Sequence, residues 1–337
     1  MELLLLPMTI WDSFLSIGST IMQPLYWVVS GILVLFHSIW SPLLGADSGW
    51  TWALSIVSLT VLIRVALIPL FVKQIKSSRA MQLLQPKVRE LQKKYGHDRE
   101  KLGAETMKLY KENNANPLAS CLPLLLQSPI FLALFRVLDG AARIDQETGQ
   151  PIARGYWLRI NPPLTESLNQ ATLLGAKISD TFLKVPLSNG INAVHVVTLV
   201  LILAMTATLF VTQLQLMRKN MPADALTGPF AQQQKIMLYV FPLIFAIGGI
   251  NFPVGVLIYW FASNLWTMGQ QFYVIRRNPA PGTPAYDAWE ERRKAKGKDL
   301  HEPIRSDIEV EAEATGQSVS RVIRQQPRKQ TRSQRKT

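Results

Sequence analysis

The sequence predicts an all-α integral membrane protein with five transmembrane helices, and three observations carry that reading. Apolar and charged residues are segregated along the chain: 48% of residues are hydrophobic, yet the net charge is +13, and long uncharged runs alternate with short basic ones. Four predominantly apolar stretches reach or approach the roughly 20 residues that a helix needs to cross a bilayer core of about 30 Å. The basic residues gather at alternate ends of those stretches, as they do when positive charge is held on one side of a membrane.

The stretches are Trp50 to Val72, Leu118 to Leu138, Asn192 to Met217 and Ile236 to Ile275. The last is 40 residues long, too long for one ordinary span, and its "GGINFPVG" at Gly248 to Gly255 marks a turn. It divides into two spans, giving five: 50–72, 118–138, 192–217, 236–250 and 253–275. An earlier apolar run, Pro24 to Leu43, has Trp27 and Trp40 near its ends and is delimited by Pro24 and Pro42. It either lies in the interface or forms a sixth span. "MELLLLP" has no basic segment and breaks at Pro7, which argues against a cleaved signal peptide.

Orientation follows the charges. No Lys or Arg precedes Arg64, whereas Lys73 to Lys111 contains 11, so the N-terminus is expected outside and the 73–117 segment inside the cell. The 139–190 loop then falls outside, Arg218 to Lys235 inside, and the tail from Arg276, with 15 basic residues, inside. Within 73–117, Pro86 suits a first helical position, Gly96 marks a pause and Asp98 an N-cap. Val88, Leu91 and Tyr95 keep helical spacing, which predicts a cytoplasmic helical hairpin.

Familiar catalytic chemistry is missing. His37, His97, His195 and His301 are scattered, the lone Cys121 has no disulfide or metal-binding partner in sequence, and Walker, HExxH and GxSxG patterns do not occur. No enzyme activity, cofactor or metal is expected. Arg64 stands out instead: an arginine at the centre of a spanning helix costs roughly 2.5–3.5 kcal/mol on insertion scales. Arg64, nine residues from Lys73, either snorkels toward the cytoplasm or, since no carboxylate occurs in another span except Asp139 at an outer end, stands without a counter-charge in water within a cavity open to one side. Thr60 lies one turn earlier on the same face, and Pro69 frees the Val65 carbonyl. Gln127, Ser128, Gln213, Gln215, Ser263, Asn264 and Gln270 are polar residues at membrane depth that also serve as ordinary interhelical glue.

"LIRVALIPLFVKQIKSSRAMQLLQPKVRELQKKYG" at Leu62 to Gly96 and "MKLYKENNANPLASCLPLLLQSPIFLALF" at Met107 to Phe135 resemble the YidC/Oxa/Alb membrane protein insertase family. "QQQKIMLYVFPLIF" at Gln232 to Phe245 and "FPVGVLIYWFASNLWTMGQQ" at Phe252 to Gln271 are similar to its last two helices. The resemblance covers about Trp50 to Arg277 and is closest to the short Gram-positive, actinobacterial-type members, which lack a large extracytoplasmic domain. Ser120 and Ser128 depart from the family's usual glycine and methionine, which bears on local packing.

The resemblance implies five core helices around a hydrophilic groove, open to cytoplasm and lipid and closed outside. Arg64 matches the family's groove arginine; Thr60 and Gln213 are expected to line the groove, with Trp260 or Tyr259 as further lining residues. It also implies that Pro24 to Leu43 is an outer interfacial helix within an extracytoplasmic segment 1–49, ahead of an insertase core at 50–277. The implied function is movement of nascent transmembrane segments from cytoplasm to bilayer without nucleotide hydrolysis. Nascent membrane proteins and the ribosome are the implied partners, with the Sec translocon and the signal recognition particle receptor as further candidates. The 278–337 tail is low in apolar residues and expected to be disordered, its basic blocks suiting ribosomal RNA or anionic lipids. The alternative is a channel or secondary transporter with an anion site at Arg64, although the internal repeat such proteins often carry is not visible.

Overall fold

The structure, a computed structural model, describes residues 6–113, 122–186, 188, 190–221, 229–279 and 282–297. Ser120, Cys121, the first residues of the expected second span and the tail beyond 297 lie outside the described residues. The chain divides between Tyr286 and Asp287 into two compact units.

The first unit is an all-α membrane fold. Helix α1 (Leu6–Leu44) precedes α2 (Gly49–Ala66), and α3 (Ile68–Tyr95) and α4 (Arg99–Glu112) form a hairpin. After α5 (Leu122–Ala142) come two short helices, α6 (Tyr156–Arg159) and α7 (Pro162–Gln170), and a two-stranded antiparallel ribbon, β1 (Thr172–Leu173) and β2 (Ala176–Lys177). Three long helices follow: α8 (Ala193–Asn220), α9 (Pro229–Gly249) and α10 (Val254–Arg277). Helix α11 (Pro284–Lys294) meets the boundary between the units.

Three helical stretches are both long and apolar enough to cross a membrane: Met22–Leu44, Gly49–Ala66 and Ala193–Asn220. Helices α5, α9 and α10 contain 21, 21 and 24 residues. At about 1.5 Å per residue they reach roughly 32–36 Å, long enough to cross.

Several boundaries differ from the sequence expectation. The 50–72 stretch is not one helix: α2 ends at Ala66, Leu67 joins it to α3, and Pro69 occupies the first turn of α3. Proline has no amide hydrogen to continue the α2 ladder and its ring crowds the preceding turn, so the break falls here. The α3–α4 hairpin therefore grows out of α3 without a further boundary at residue 73, and Pro86 lies inside α3 instead of starting a helix. Pro24 and Pro42 are likewise interior to α1 and do not delimit it. The tail is helical from Pro284 to Lys294, where disorder was expected, with Arg293 5.1 Å from the Trp289 ring within that helix.

Other local features follow the sequence closely. Asp98 caps α4 by accepting from the Lys101 amide at 3.0 Å. Asn192 accepts from the Val194 and His195 amides while the His195 ring accepts from the Asn192 amide, a reciprocal cap at the start of α8. Between α9 and α10 the turn closes through Asn251 N to Gly248 O and Phe252 N to Gly249 O, both 3.1 Å.

The 139–190 segment is folded against one end of the bundle, here termed the loop end. Asn169 donates to the Ala141 carbonyl at the end of α5 (2.7 Å), and the Ser179 hydroxyl donates to the Asn169 carbonyl (2.9 Å). The first amides of α10, Val254 and Gly255, which have no partner within their own helix, donate to the Asp180 and Ile178 carbonyls at 3.0 and 2.9 Å. Asp145 closes a turn by accepting from the Thr148 and Glu147 amides, which hold its carboxyl below the usual carboxylate range. Gly49 begins α2 where a Cβ would lie only 2.1 Å from the Thr172 carbonyl oxygen, so only glycine permits this approach.

Helix α1 is tied to the same end between Tyr26 and His37. His37 donates to the Ala46 carbonyl (2.8 Å), and seven residues earlier Ser30, with the backbone of Tyr26, borders Gly155 of the loop. Arg154, next to Gly155, in turn packs on Gly140 near the end of α5. The hydrophobic core gathers at this level, where Trp52, Ile56 and Leu59 of α2 meet Leu33 of α1, Leu134 and Leu138 of α5, Leu158, Leu168 and Ile178 of the loop, and Val254 and Ile258 of α10.

Candidate functional site

Following α2 away from the loop end, apolar packing gives way to polar side chains after Leu59. Thr60 is buried, and its hydroxyl donates to the Ile56 carbonyl one turn earlier at 2.7 Å, so its own helix already satisfies it. Arg64 follows one turn later, 8% exposed and in the last turn of α2. The sequence reading placed it mid-span; the break at Leu67 puts it at the carboxyl end of a helix, where the backbone dipole favours a cation.

Its guanidinium Nη2 donates to the Ser263 hydroxyl in a short hydrogen bond and lies 3.4 Å from the Ser263 carbonyl oxygen. The Phe71 ring sits 5.9 Å from the guanidinium carbon, while Nε has no acceptor within the protein. No carboxylate pairs with Arg64 among the described residues.

One turn before Ser263, on the same face of α10, Tyr259 is buried and its hydroxyl accepts a short hydrogen bond from the Gln127 amide of α5. The structure thus joins Arg64, Ser263, Tyr259 and Gln127 across α2, α10 and α5. Two polar atoms of this network and its neighbour on α10 are left without protein partners: Gln127 Oε1 and Asn264 Nδ2 are buried and unpaired. Buried polar groups ordinarily find a partner in protein or ordered water, so this layer needs one from outside the fold.

Trp260 goes elsewhere. Its ring lies 4.6 Å from Phe245, 5.2 Å from Phe131 and 5.6 Å from Phe252, inside an aromatic cluster. Tyr259 touches the same cluster, its ring 6.1 Å from Phe131, while its hydroxyl turns to Gln127. Gln213 is half-buried on α8. Sequence reasoning noted Ser263 and Gln127 as polar glue and missed their specific pairings. The signal was present in the four-residue spacing of Tyr259 and Ser263 on one helix.

No group of three or more His, Cys, Asp or Glu side chains suited to a metal occurs among the described residues. What the site offers is a buried positive charge flanked by hydroxyls and amides.

Residues 43–281 match the 60Kd inner membrane protein family over most of the chain. The chain belongs to that family. Among the members of the 60Kd inner membrane protein family it resembles, a Streptomyces avermitilis protein is 50% identical over 286 residues, 83% of this chain and 63% of that one. A Tropheryma whipplei (strain Twist) protein is 35% identical over 300 residues, covering 85% of this chain and 93% of the other. A Mycobacterium tuberculosis (strain H37Rv) protein is 36% identical over 267 residues, covering 74% and 72%. Each bears the name membrane protein insertase YidC. The chain thus spans less than two thirds of its Streptomyces relative's length. A crystal structure of an active YidC insertase aligns with 73% of this chain and 46% of its own at 24% identity and a TM-score of 0.45. This is a bacterial inner-membrane family, and the segregated apolar helices of the chain fit that location.

Proposed function

We propose that this protein is a membrane protein insertase, moving nascent transmembrane segments from the cytoplasm into lipid. The observation that carries this reading is the buried Arg64, bonded to Ser263 and facing no carboxylate among the described residues, in a polar layer beyond an apolar seal at the loop end. The relatives bearing the insertase name support it.

In this reading α2, α5, α8, α9 and α10 are the five spans, with the loop end outside the cell and the α3–α4 hairpin in the cytoplasm. Helix α1 lies in the outer interface; its contacts with the loop end at both His37 and Ser30 support this placement. The apolar layer of Trp52, Leu134, Leu138 and Ile258 blocks the outer side, while Arg64, Ser263, Tyr259, Thr60 and Gln213 meet the incoming chain from the inner side.

The mechanism is electrostatic followed by hydrophobic. The polar or acidic tail of a nascent segment exchanges bulk water for Arg64 and the unpaired polar atoms around it, which lowers its desolvation cost. The apolar segment then moves sideways into lipid. About 20 apolar residues, each favouring the bilayer by a few tenths of a kcal/mol, outweigh transfer of a short tail, so the step runs without nucleotide. Ribosomes meet the hairpin and the basic tail in this scheme, with the Sec translocon, the signal recognition particle receptor and anionic lipids as further partners.

Reconstitution of the purified protein into liposomes tests the reading. Assisted insertion of a small single-span protein into protease-protected form is expected. Solute flux without insertion would instead establish a channel or transporter.

A further inference from the structure

A cavity of about 410 Å³ opens between the middle of α1 and the loop, with Gln23, Trp27, Arg154, Tyr156 and Arg159 among its lining residues. A second hollow of about 500 Å³ adjoins it, sharing Ala153 and Arg159. This is far along the chain from Arg64 and plays no part in the proposed insertion step.

The charges are unevenly matched here. The 139–190 segment has five basic and five acidic residues. Arg143 pairs with Asp139 at 2.9 Å and Lys184 with Asp180 at 3.0 Å. Arg154, Arg159 and Lys177 make no ion pair among the described residues, and two of these three cations line the one cavity. Arg154 is half-buried, and its Nε has no hydrogen-bond acceptor in the protein. The one carboxylate bordering the adjoining hollow, Glu166, already accepts from Gln170 at 2.9 Å.

The rim is aromatic and partly apolar. Trp27 and Tyr156 are about half exposed and both contact Trp157, at 5.8 and 5.5 Å between ring centroids; Val28 and Ile160 are also exposed nearby in sequence. Tryptophan and tyrosine concentrate where hydrocarbon meets headgroups. The cavity's shape is locked by Gly155, whose φ of +91° suits glycine and whose Cβ would lie 2.6 Å from that of Ser30. That close approach sets Arg154 and Tyr156 on either side of the α1 contact.

We infer that this cavity binds the headgroup phosphate of an anionic phospholipid in the outer leaflet, with Arg154 and Arg159 donating to its oxygens and Trp27 and Tyr156 at the glycerol level. Guanidinium groups match phosphate oxygens in geometry as well as charge. A free phosphate would find the arginines but have no use for the exposed aromatic rim. The inference rests on the placement of α1 in the membrane surface and not on insertase activity.

Native mass spectrometry of the full-length protein, released from phosphatidylcholine vesicles with a minor share of phosphatidylglycerol, tests it. The unmodified protein is expected to retain phosphatidylglycerol above its share in the vesicle. Arg159 is exposed, so Arg159→Gln leaves the fold intact and should weaken that retention about fivefold; Arg154→Gln with Arg159→Gln should bring it to the bulk ratio. Arg143→Gln, removing a cation already paired, should leave it unchanged. Undiminished retention in Arg159→Gln, or an equal loss in Arg143→Gln, overturns the site. Displacement of the lipid by millimolar inorganic phosphate reassigns the site to free phosphate and overturns the lipid assignment. Because lipid retention and not insertion is measured, a negative result leaves the proposed function standing.

Discussion

The Arg64 guanidinium reaches from the last turn of α2 to the Ser263 hydroxyl on α10, crossing between helices that are 199 residues apart in sequence at these positions. A charged group held this way is positioned by a hydroxyl that carries no opposing charge, so its field stays available to a substrate.

That arrangement predicts a charge-selective defect. Arg64→Ala should lower insertion of clients with acidic tails roughly tenfold while affecting neutral-tailed clients less, and Arg64→Lys should retain much of the activity. Ser263→Ala removes one charge-assisted hydrogen bond and should produce an intermediate loss of about two- to fivefold. The measurement is insertion of paired clients differing only in tail charge, normalised to insertase abundance. Equal defects for both client types would return Arg64 to a packing role.

Two helical glycines should respond in opposite ways. A Cβ at Gly49 would collide with the Thr172 carbonyl, whereas one at Gly103 meets nothing within 4 Å. Gly49→Ala should therefore destabilise the detergent-solubilised protein by about 1–3 kcal/mol as the loop shifts to make room. Gly103→Ala should stabilise α4 by about 0.5–1 kcal/mol. Thermal melts of both variants decide the matter, and similar midpoints would mean that the loop does not pack on α2 as described.

The apolar helices and their turns were legible because hydrophobic length and Gly-Asn-Pro punctuation are local properties. The α9–α10 hairpin at Gly248 to Val254 and the Asp98 cap both came from neighbours in sequence. Proline was less readable. Pro24, Pro42 and Pro86 lie inside helices because one missing amide hydrogen is tolerable where flanking turns and packing hold the helix. Pro69 coincides with a break, and nothing local separates its behaviour from theirs. The pairing of Gln127 with Tyr259 spans 132 residues, and the loop's fold rests on contacts such as Trp52 Nε1 to Ser167 Oγ, 115 residues apart. Such partners depend on how helices are brought together, which periodicity does not encode.

Trp260 separates a packing role from a groove role. With Phe131, Phe245 and Phe252 around its ring, Trp260→Ala should cost about 3–5 kcal/mol of stability, and Trp260→Phe should recover most of it. Insertion per folded molecule is expected to change little in Trp260→Phe. A large activity loss in that variant with unchanged stability would place the ring against substrate instead.

The tail is expected to act through ribosomes. Removing residues 298–337 should leave the membrane core insertion-competent but reduce co-sedimentation with ribosomes, with the difference shrinking as salt screens phosphate contacts. Unchanged sedimentation across a salt series would assign those basic blocks to lipid or to no partner.

Topology can be tested without assuming function. In a Cys121→Ser background, Asp47→Cys sits between α1 and α2 and Gln150→Cys in the loop, both near the loop end, while His97→Cys lies at the tip of the α3–α4 hairpin. The 11 basic residues from Lys73 to Lys111 weigh heavily against moving that hairpin across a membrane. An impermeant thiol reagent applied to intact cells should label the first two positions and leave the third unmodified until the membrane is opened. If the hairpin position is labelled from outside, Arg64 would face the extracytoplasmic side and the proposed direction of insertion would fail with it.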